Sequence, residues 1–162
     1  MTHLERIAME FPARGSVAEI EEGHRFMPRF DEAGLIPCVT QDAATGEVLM
    51  LGYMNRESLT KTLETGYAHY WSRSRQTLWR KGEQSGQSQL VKRLRVDDDQ
   101  DCLLLQVDLT GGASCHVGYR SCFFRELQCE SGRTDFSLQF LESAKVYDPR
   151  IAYGTAIQDS EH

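Results

Sequence analysis

Between residues 35 and 127 the chain is a succession of short apolar or alternating segments of strand length, separated by glycines and polar clusters. Only one interval within that span reads as a helix, so the pattern restricts the fold to a sheet-dominated one. "LIPCVTQD" and "EVLMLGYM" read as two strands joined by "AATGE", where Gly46 supplies the positive φ of a tight hairpin. "NRESLTKTLETG" then starts at Asn55, a good helix cap, and stops at Gly66, which predicts a helix of about ten residues. "YAHYWS" is aromatic enough for a strand, "LVKRLRVDDD" alternates with period two, "CLLLQVDL" reads as a buried strand and "CFFREL" as one more. The expected class is α+β, with a mostly antiparallel sheet and few helices.

With 162 residues and 40% hydrophobic content, the chain can bury a core without covalent staples. Residues 1–30, broken by Pro12, Gly15, Gly23 and Pro28, read as an irregular or partly helical N-terminal arm. A central domain covers 31–130, and 131–162 form a C-terminal extension with a short strand, loops and a loose "QDSEH" end. The net charge of −6 argues against a general nucleic-acid surface while leaving room for a small anionic ligand. Charges interrupt the N-terminal apolar residues, and no run approaches the length of a membrane span, so a cytoplasmic location without membrane partners is expected. Five cysteines, an odd number, are then expected to stay reduced.

Three stretches carry residue types suited to chemistry. In "VDDDQDC", Asp97, Asp99 and Asp101 are spaced by two and would share one face of a strand. A hard cation such as Mg²⁺ relieves the repulsion of three such carboxylates, while a solvated acidic loop is the plain alternative. In "SCHVGYRSC", Cys115 and Cys122 are soft ligands suited to Zn²⁺, but two thiolates are half a tetrahedral shell, and buried packing competes with that reading. His116 is a candidate ligand or general base, or a structural histidine. The third stretch, "YWSRSRQTLWRKGEQSGQSQ", sets Arg73, Arg75, Arg80 and Lys81 among hydroxyls and glycines in an otherwise acidic protein. Such groups hold phosphate, and Trp71 and Trp79 either stack a base or serve the core.

Taken in order, "LIPCVTQDAATGEVLMLGYMNRESL", "HYWSRSRQTLWRKGEQSGQSQ", "DDDQD" and "SCHVGYRSCFFREL" closely resemble the phosphoribosyl-AMP cyclohydrolase family over about residues 34–127. The resemblance implies a homodimeric α+β enzyme of histidine biosynthesis that opens the adenine ring of phosphoribosyl-AMP at N1–C6. It implies a zinc ion shared between two subunits that activates water, with Cys115 and Cys122 as two of its ligands. It further implies Mg²⁺ on Asp97, Asp99 and Asp101, and His116 as the group that moves a proton. The nucleotide would be held by Trp71, Ser72, Arg73, Ser74, Arg75, Trp79, Lys81, Gly82, Glu83, Ser85 and Gly86. One departure falls on the metal: where the family carries its remaining cysteine, this chain has Asp98. Asp98 would offer zinc an oxygen in place of a thiolate; Cys102 is the alternative, although about 13 Å separates the two positions on an extended strand. The departure keeps two other readings open: a paralogue acting on another purine-like or amidine substrate, and a non-catalytic nucleotide- or metal-binding protein.

Overall fold

The computed structural model describes residues 9–153; the first eight residues of the arm and the "QDSEH" end lie outside the described residues. A four-stranded sheet organises them, in the order β2 (Val48–Met54), β1 (Ile36–Asp42), β6 (Leu103–Leu109) and β5 (Gln89–Val96). Strands β1 (Ile36–Asp42) and β2 (Val48–Met54) form the expected antiparallel hairpin, with Gly46 at φ +78° in its turn. Helix α2 (Arg56–Thr65) follows. The Asn55 side chain accepts from the Ser58 N–H at 2.8 Å, and Gly66 ends the helix at φ +77°, so both chemical signals act as anticipated.

Strand β5 (Gln89–Val96) pairs antiparallel with β6 (Leu103–Leu109), and β6 closes the sheet by running parallel to β1. Among the described residues that parallel pair is the exception in an otherwise antiparallel α+β fold. Alternation along β1 and β6 sends Ile36, Cys38, Leu103, Leu105 and Val107 into the core, where they meet Leu49, Met54, Leu59 of α2 and Tyr70. Burial pushes the Cys38 thiol well above its ordinary range, which makes it a packing group. All five cysteines are free thiols.

The aromatic segment is half of an element not anticipated from sequence. Strand β3 (His69–Ser72) folds back on β4 (Thr77–Arg80), pairing Trp71 with Leu78 and Tyr70 with Trp79. Its turn has Gln76 at φ +51°, a left-handed position without a glycine to announce it. Two further boundaries need correction. The "CFFREL" strand begins only at Arg125: β7 is Arg125–Gln128, paired with β8 (Ser137–Phe140), and Cys122–Phe124 precede it in a bend. The aspartates are not on a strand either, because β5 ends at Val96 and residues 97–102 form the turn into β6. Short helices α1 (Val17–Glu22) and α3 (Pro149–Tyr153) occupy the arm and the extension.

Candidate functional site

The basic stretch and the cysteine loop meet in one open cleft. Its walls are Met50–Tyr53 of β2, residues 70–75, Trp79, Lys81, Ser114, His116 and Cys122. The cleft therefore gathers Trp71, Ser72, Arg73, Ser74, Arg75, Trp79, Lys81, His116 and Cys122 from two segments far apart in sequence. The guanidinium of Arg73 lies 3.9 Å from the Tyr53 ring centre, which fixes its planar fork at the mouth. Arg75 donates from its backbone N–H and from Nε to Ser72 Oγ at 3.3 and 3.4 Å. Trp79 has one side committed to the core, with its ring 5.2 Å from that of Tyr70, so it satisfies the packing reading as well as lining the cleft.

A neighbouring hollow that shares Arg75, Trp79 and Lys81 with the cleft is also lined by Arg80, Gly82, Glu83 and Ser85. Gly82 and Gly86 have φ of +86° and +74°, and the Gly86 N–H donates to the Gly82 carbonyl at 2.9 Å. A Cβ at Gly82 would stand 2.4 Å from the Ser88 nitrogen, so here close backbone packing demands glycine. Gly86 lines neither hollow.

Lys81 is the unusual cation. It is 6% exposed, its ammonium donates to the Ser114 carbonyl, and Nζ lies 5.5 Å from the Trp79 ring centre. A buried ammonium beside the residue that precedes Cys115 favours negative charge there. The neighbouring Cys122 thiol first, with Lys81 assisting, lowers Cys115 to about 6. The Cys122 thiol is pushed up, because it holds the proton of the pair. Two sulfurs poised so that one is ionised at neutral pH are suitable donors for a soft metal.

The loop bearing them has little regular structure and is held by specific bonds. Ser114 and Cys115 N–H groups donate to the Arg120 and Tyr119 carbonyls at 2.8 and 3.1 Å, and the Cys122 N–H donates to Leu49 O of β2 at 2.7 Å. Arg120 reaches back to the hairpin turn, donating to Asp42 Oδ2 and Glu47 Oε2 at 2.6 Å each. A buried polar relay enters from the core. Tyr70 Oη lies 2.6 Å from Thr40 Oγ1 and donates to Gln89 Oε1 at 2.6 Å, while Gln89 Nε2 donates to Ser114 Oγ at 3.1 Å. Sequence reasoning missed Gln89, Ser114 and Tyr70; Gln89 is the first residue of β5, just before the alternating segment.

The three aspartates do come together. One carboxylate oxygen each from Asp97, Asp99 and Asp101 lies within 4.8 Å of the others, through the turn rather than through strand spacing. Hydrogen bonding to Asp97, then partial burial and Asp99, raise Asp101 to about 6. The clustered oxygens match the donor chemistry of a hard divalent cation. Gln100 at the apex has φ +57° and is 4% exposed. Its amide is consumed by the arm: Oε1 accepts from the Met27 N–H at 2.7 Å, and Nε2 donates to Ile20 O and Arg25 O at 2.9 and 3.2 Å. Arg14 adds a bond from Nη2 to Asp99 O at 2.7 Å.

What the chain does not join is equally definite. The aspartate turn adjoins the Leu103 end of β6, whereas Cys122 is bonded to Leu49, on the Val107 side of the sheet. Asp98 lines a separate hollow with His24 and Gln100, and Cys102 follows the same turn, its N–H donating to Asp97 Oδ1 at 3.0 Å. Among the described residues, no third histidine, cysteine or acidic side chain reaches Cys115 and Cys122 closely enough to complete a metal shell.

The model of the family described as phosphoribosyl-AMP cyclohydrolase matches residues 50–124. A protein of that name from Bradyrhizobium diazoefficiens is 51% identical over 135 residues, 83% of this chain and 94% of the relative. Those from Brucella canis and Brucella anthropi are 53% and 54% identical over 130 and 131 residues, covering 79% and 80% of this chain and 94% and 93% of the relatives. With a cleft that joins the arginine-serine hairpin to the cysteine loop, and identity above one half across about four fifths of its length, the chain belongs to the phosphoribosyl-AMP cyclohydrolase family, hydrolases that act on a cyclic amidine.

Proposed function

We propose that the chain hydrolyses the N1–C6 bond of the adenine ring of phosphoribosyl-AMP, as a step of histidine biosynthesis in the cytoplasm, and that it works as a zinc- and magnesium-dependent homodimer. The observation that carries this reading is the shared cleft, in which the phosphate-type groups of residues 72–81 face His116 and Cys122. Arg73, Arg75, Lys81 and the Ser72 and Ser74 hydroxyls bind phosphate through charge-assisted bonds. Trp71 would offer a ring face to the base, and a second phosphate would sit in the adjoining hollow bordered by Ser85, Gly82 and Glu83.

Cys115 and Cys122 would hold zinc, and bound zinc supplies a water acidic enough to attack the ring carbon near neutral pH. Because the described residues of one chain bring together only two of the donors, a second copy is the natural source of the third, with Asp98 favoured over Cys102. Asp97, Asp99 and Asp101 would hold Mg²⁺. His116, lining the cleft beside the thiols, transfers the proton that ring nitrogen N1 gains as the N1–C6 bond breaks.

The test is turnover of phosphoribosyl-AMP, followed by ultraviolet absorbance with defined Zn²⁺ and Mg²⁺. Zinc-dependent ring opening, lost in Cys115→Ser and Cys122→Ser, supports the reading. Folded, metal-loaded protein that binds the nucleotide without turnover would favour the binding-protein alternative. Zinc content assigns the third donor: Asp98→Ala is expected to lower it and Cys102→Ala to leave it unchanged, with the reverse result transferring the role to Cys102.

A further inference from the structure

The cysteine loop is gripped from outside by a segment that lies beyond the part of the chain matched by the family model, which ends at residue 124. The Glu142 carboxylate uses both oxygens: Oε1 accepts from the Arg120 N–H at 2.8 Å and Oε2 from the Ser121 N–H at 3.0 Å. Farther along, the Val146 N–H donates to the Gly118 carbonyl at 2.6 Å. The Tyr147 hydroxyl lies 3.2 and 3.3 Å from the Cys115 and His116 carbonyls, to which it donates. The approach is tight enough that a Cβ at Gly118 would stand 2.4 Å from Tyr147 O. Within the loop, the bonds from Ser114 and Cys115 to Arg120 and Tyr119 span only a few residues, and no strand ladder enforces its shape. The separation of the two sulfurs therefore depends on contacts supplied from elsewhere.

We propose that Glu142 and Tyr147 are positioning residues: they set the curvature of the 115–122 loop so that Cys115 and Cys122 approach each other before any metal is present. The thiols as zinc ligands belong to the functional reading above, and the zinc arm of the test rests on it; the shape of the loop does not. The two backbone N–H groups at Arg120 and Ser121 converge on one carboxylate, a geometry that an amide cannot reproduce, since its NH₂ would face one of the donors. Glu142→Gln is thus nearly isosteric and electronically wrong.

Three quantities are measured on the full chain carrying Glu142→Gln, Tyr147→Phe or Arg133→Ala. They are the rate at which a disulfide reagent modifies the thiols of metal-free protein, the Zn²⁺ dissociation constant by chelator competition, and kcat and KM with excess Zn²⁺. Arg133 is an exposed partner of Asp135 in the same extension and serves as the control. Glu142→Gln is expected to weaken Zn²⁺ binding about 10- to 100-fold, the range typical of lost outer-shell support, with kcat restored by excess Zn²⁺. Tyr147→Phe, losing one hydroxyl, is expected to weaken it about fivefold. Arg133→Ala should match the unaltered protein. Equal Zn²⁺ affinity and equal thiol reactivity in Glu142→Gln and the unaltered chain would overturn the proposal. If Glu142→Gln does not fold, Tyr147→Phe decides by the same two readouts. If even the unaltered protein retains no Zn²⁺, the zinc reading fails, and the thiol rates alone decide: faster modification in the variants upholds positioning and equal rates refute it.

Discussion

Replacing Tyr70 by Phe removes one oxygen from the best-protected place in the molecule. The residue is 1% exposed, and its hydroxyl is the joint between Thr40 and Gln89, each 0% exposed. Both contacts measure 2.6 Å, and Gln89 Oε1 accepts the Tyr70 hydroxyl in a fully buried position. The ring contact with Trp79 at 5.2 Å survives in the variant, so the loss is polar rather than a cavity. A buried acceptor left unmatched costs about 1–3 kcal/mol, and Thr40 loses its partner as well, giving about 3 kcal/mol for the pair after the easier desolvation of Phe is credited. For a chain of this size each kcal/mol lowers Tm by about 2–4 °C, so a fall of about 6–12 °C is expected by calorimetry. Adding Thr40→Val should recover part of it, because deleting both ends of a buried bond costs less than stranding one. The Gln89–Ser114 bond then transmits the disturbance to the residue before Cys115, which a change in thiol reactivity would report. A Tm within about 1 °C of the unaltered protein, a stability change below about 0.5 kcal/mol, would refute the claim that this hydroxyl is an integral joint of the core.

The Arg120 anchor gives a pH signature. Desolvation would raise Asp42, but the N–H groups of Thr45 and Ala44 and the Arg120 guanidinium outweigh it and hold the carboxyl below its ordinary value. A lowered carboxyl stabilises the fold above its unfolded pKa of about 3.9, and that contribution disappears as pH falls through the folded value. Arg120→Met should therefore destabilise by about 1–2 kcal/mol at pH 7 and by less near pH 3 in urea titrations; an equal loss at both would remove the charge explanation. Gly118→Ala, at φ +106° and against Tyr147 O, should lower Tm measurably and increase thiol exposure to a disulfide reagent, and an unchanged melt would contradict the packing argument. Arg73→Ala should raise KM far more for phosphoribosyl-AMP than for a dephosphorylated analogue, and an equal rise would exclude the phosphate role. Mg²⁺ should raise Tm in a manner abolished by Asp99→Asn if the clustered carboxylates hold it.

Local chemistry wrote much of this protein in plain view. The Gly46 hairpin, the helix between Asn55 and Gly66 and the buried alternation of β1 and β6 each follow from nearest-neighbour rules: turn conformation, capping and side-chain period. The chemical character of the arginine-serine stretch and of the cysteine pair was equally legible, since charge and ligand softness belong to residue types. Where a boundary depended on strain rather than propensity, the reading slipped. The β3–β4 turn uses Gln76 in a left-handed conformation, and the aspartate turn does the same with Gln100, so neither carried the glycine that advertises such a bend.

Placement was decided by tertiary structure. Sequence order sets Asp98 and Asp101 close to Cys115, yet β6 runs between them as an extended strand and carries the aspartates and the thiols to opposite ends of the sheet. In their place, folding brings the hairpin at 69–80 to the cysteine loop, and the side chains of Gln89, Glu142 and Tyr147 fasten that loop from the core and from the extension. Residue types and their local spacing determine which groups are available; long-range pairing of strands, which no local preference encodes, determines which of them meet.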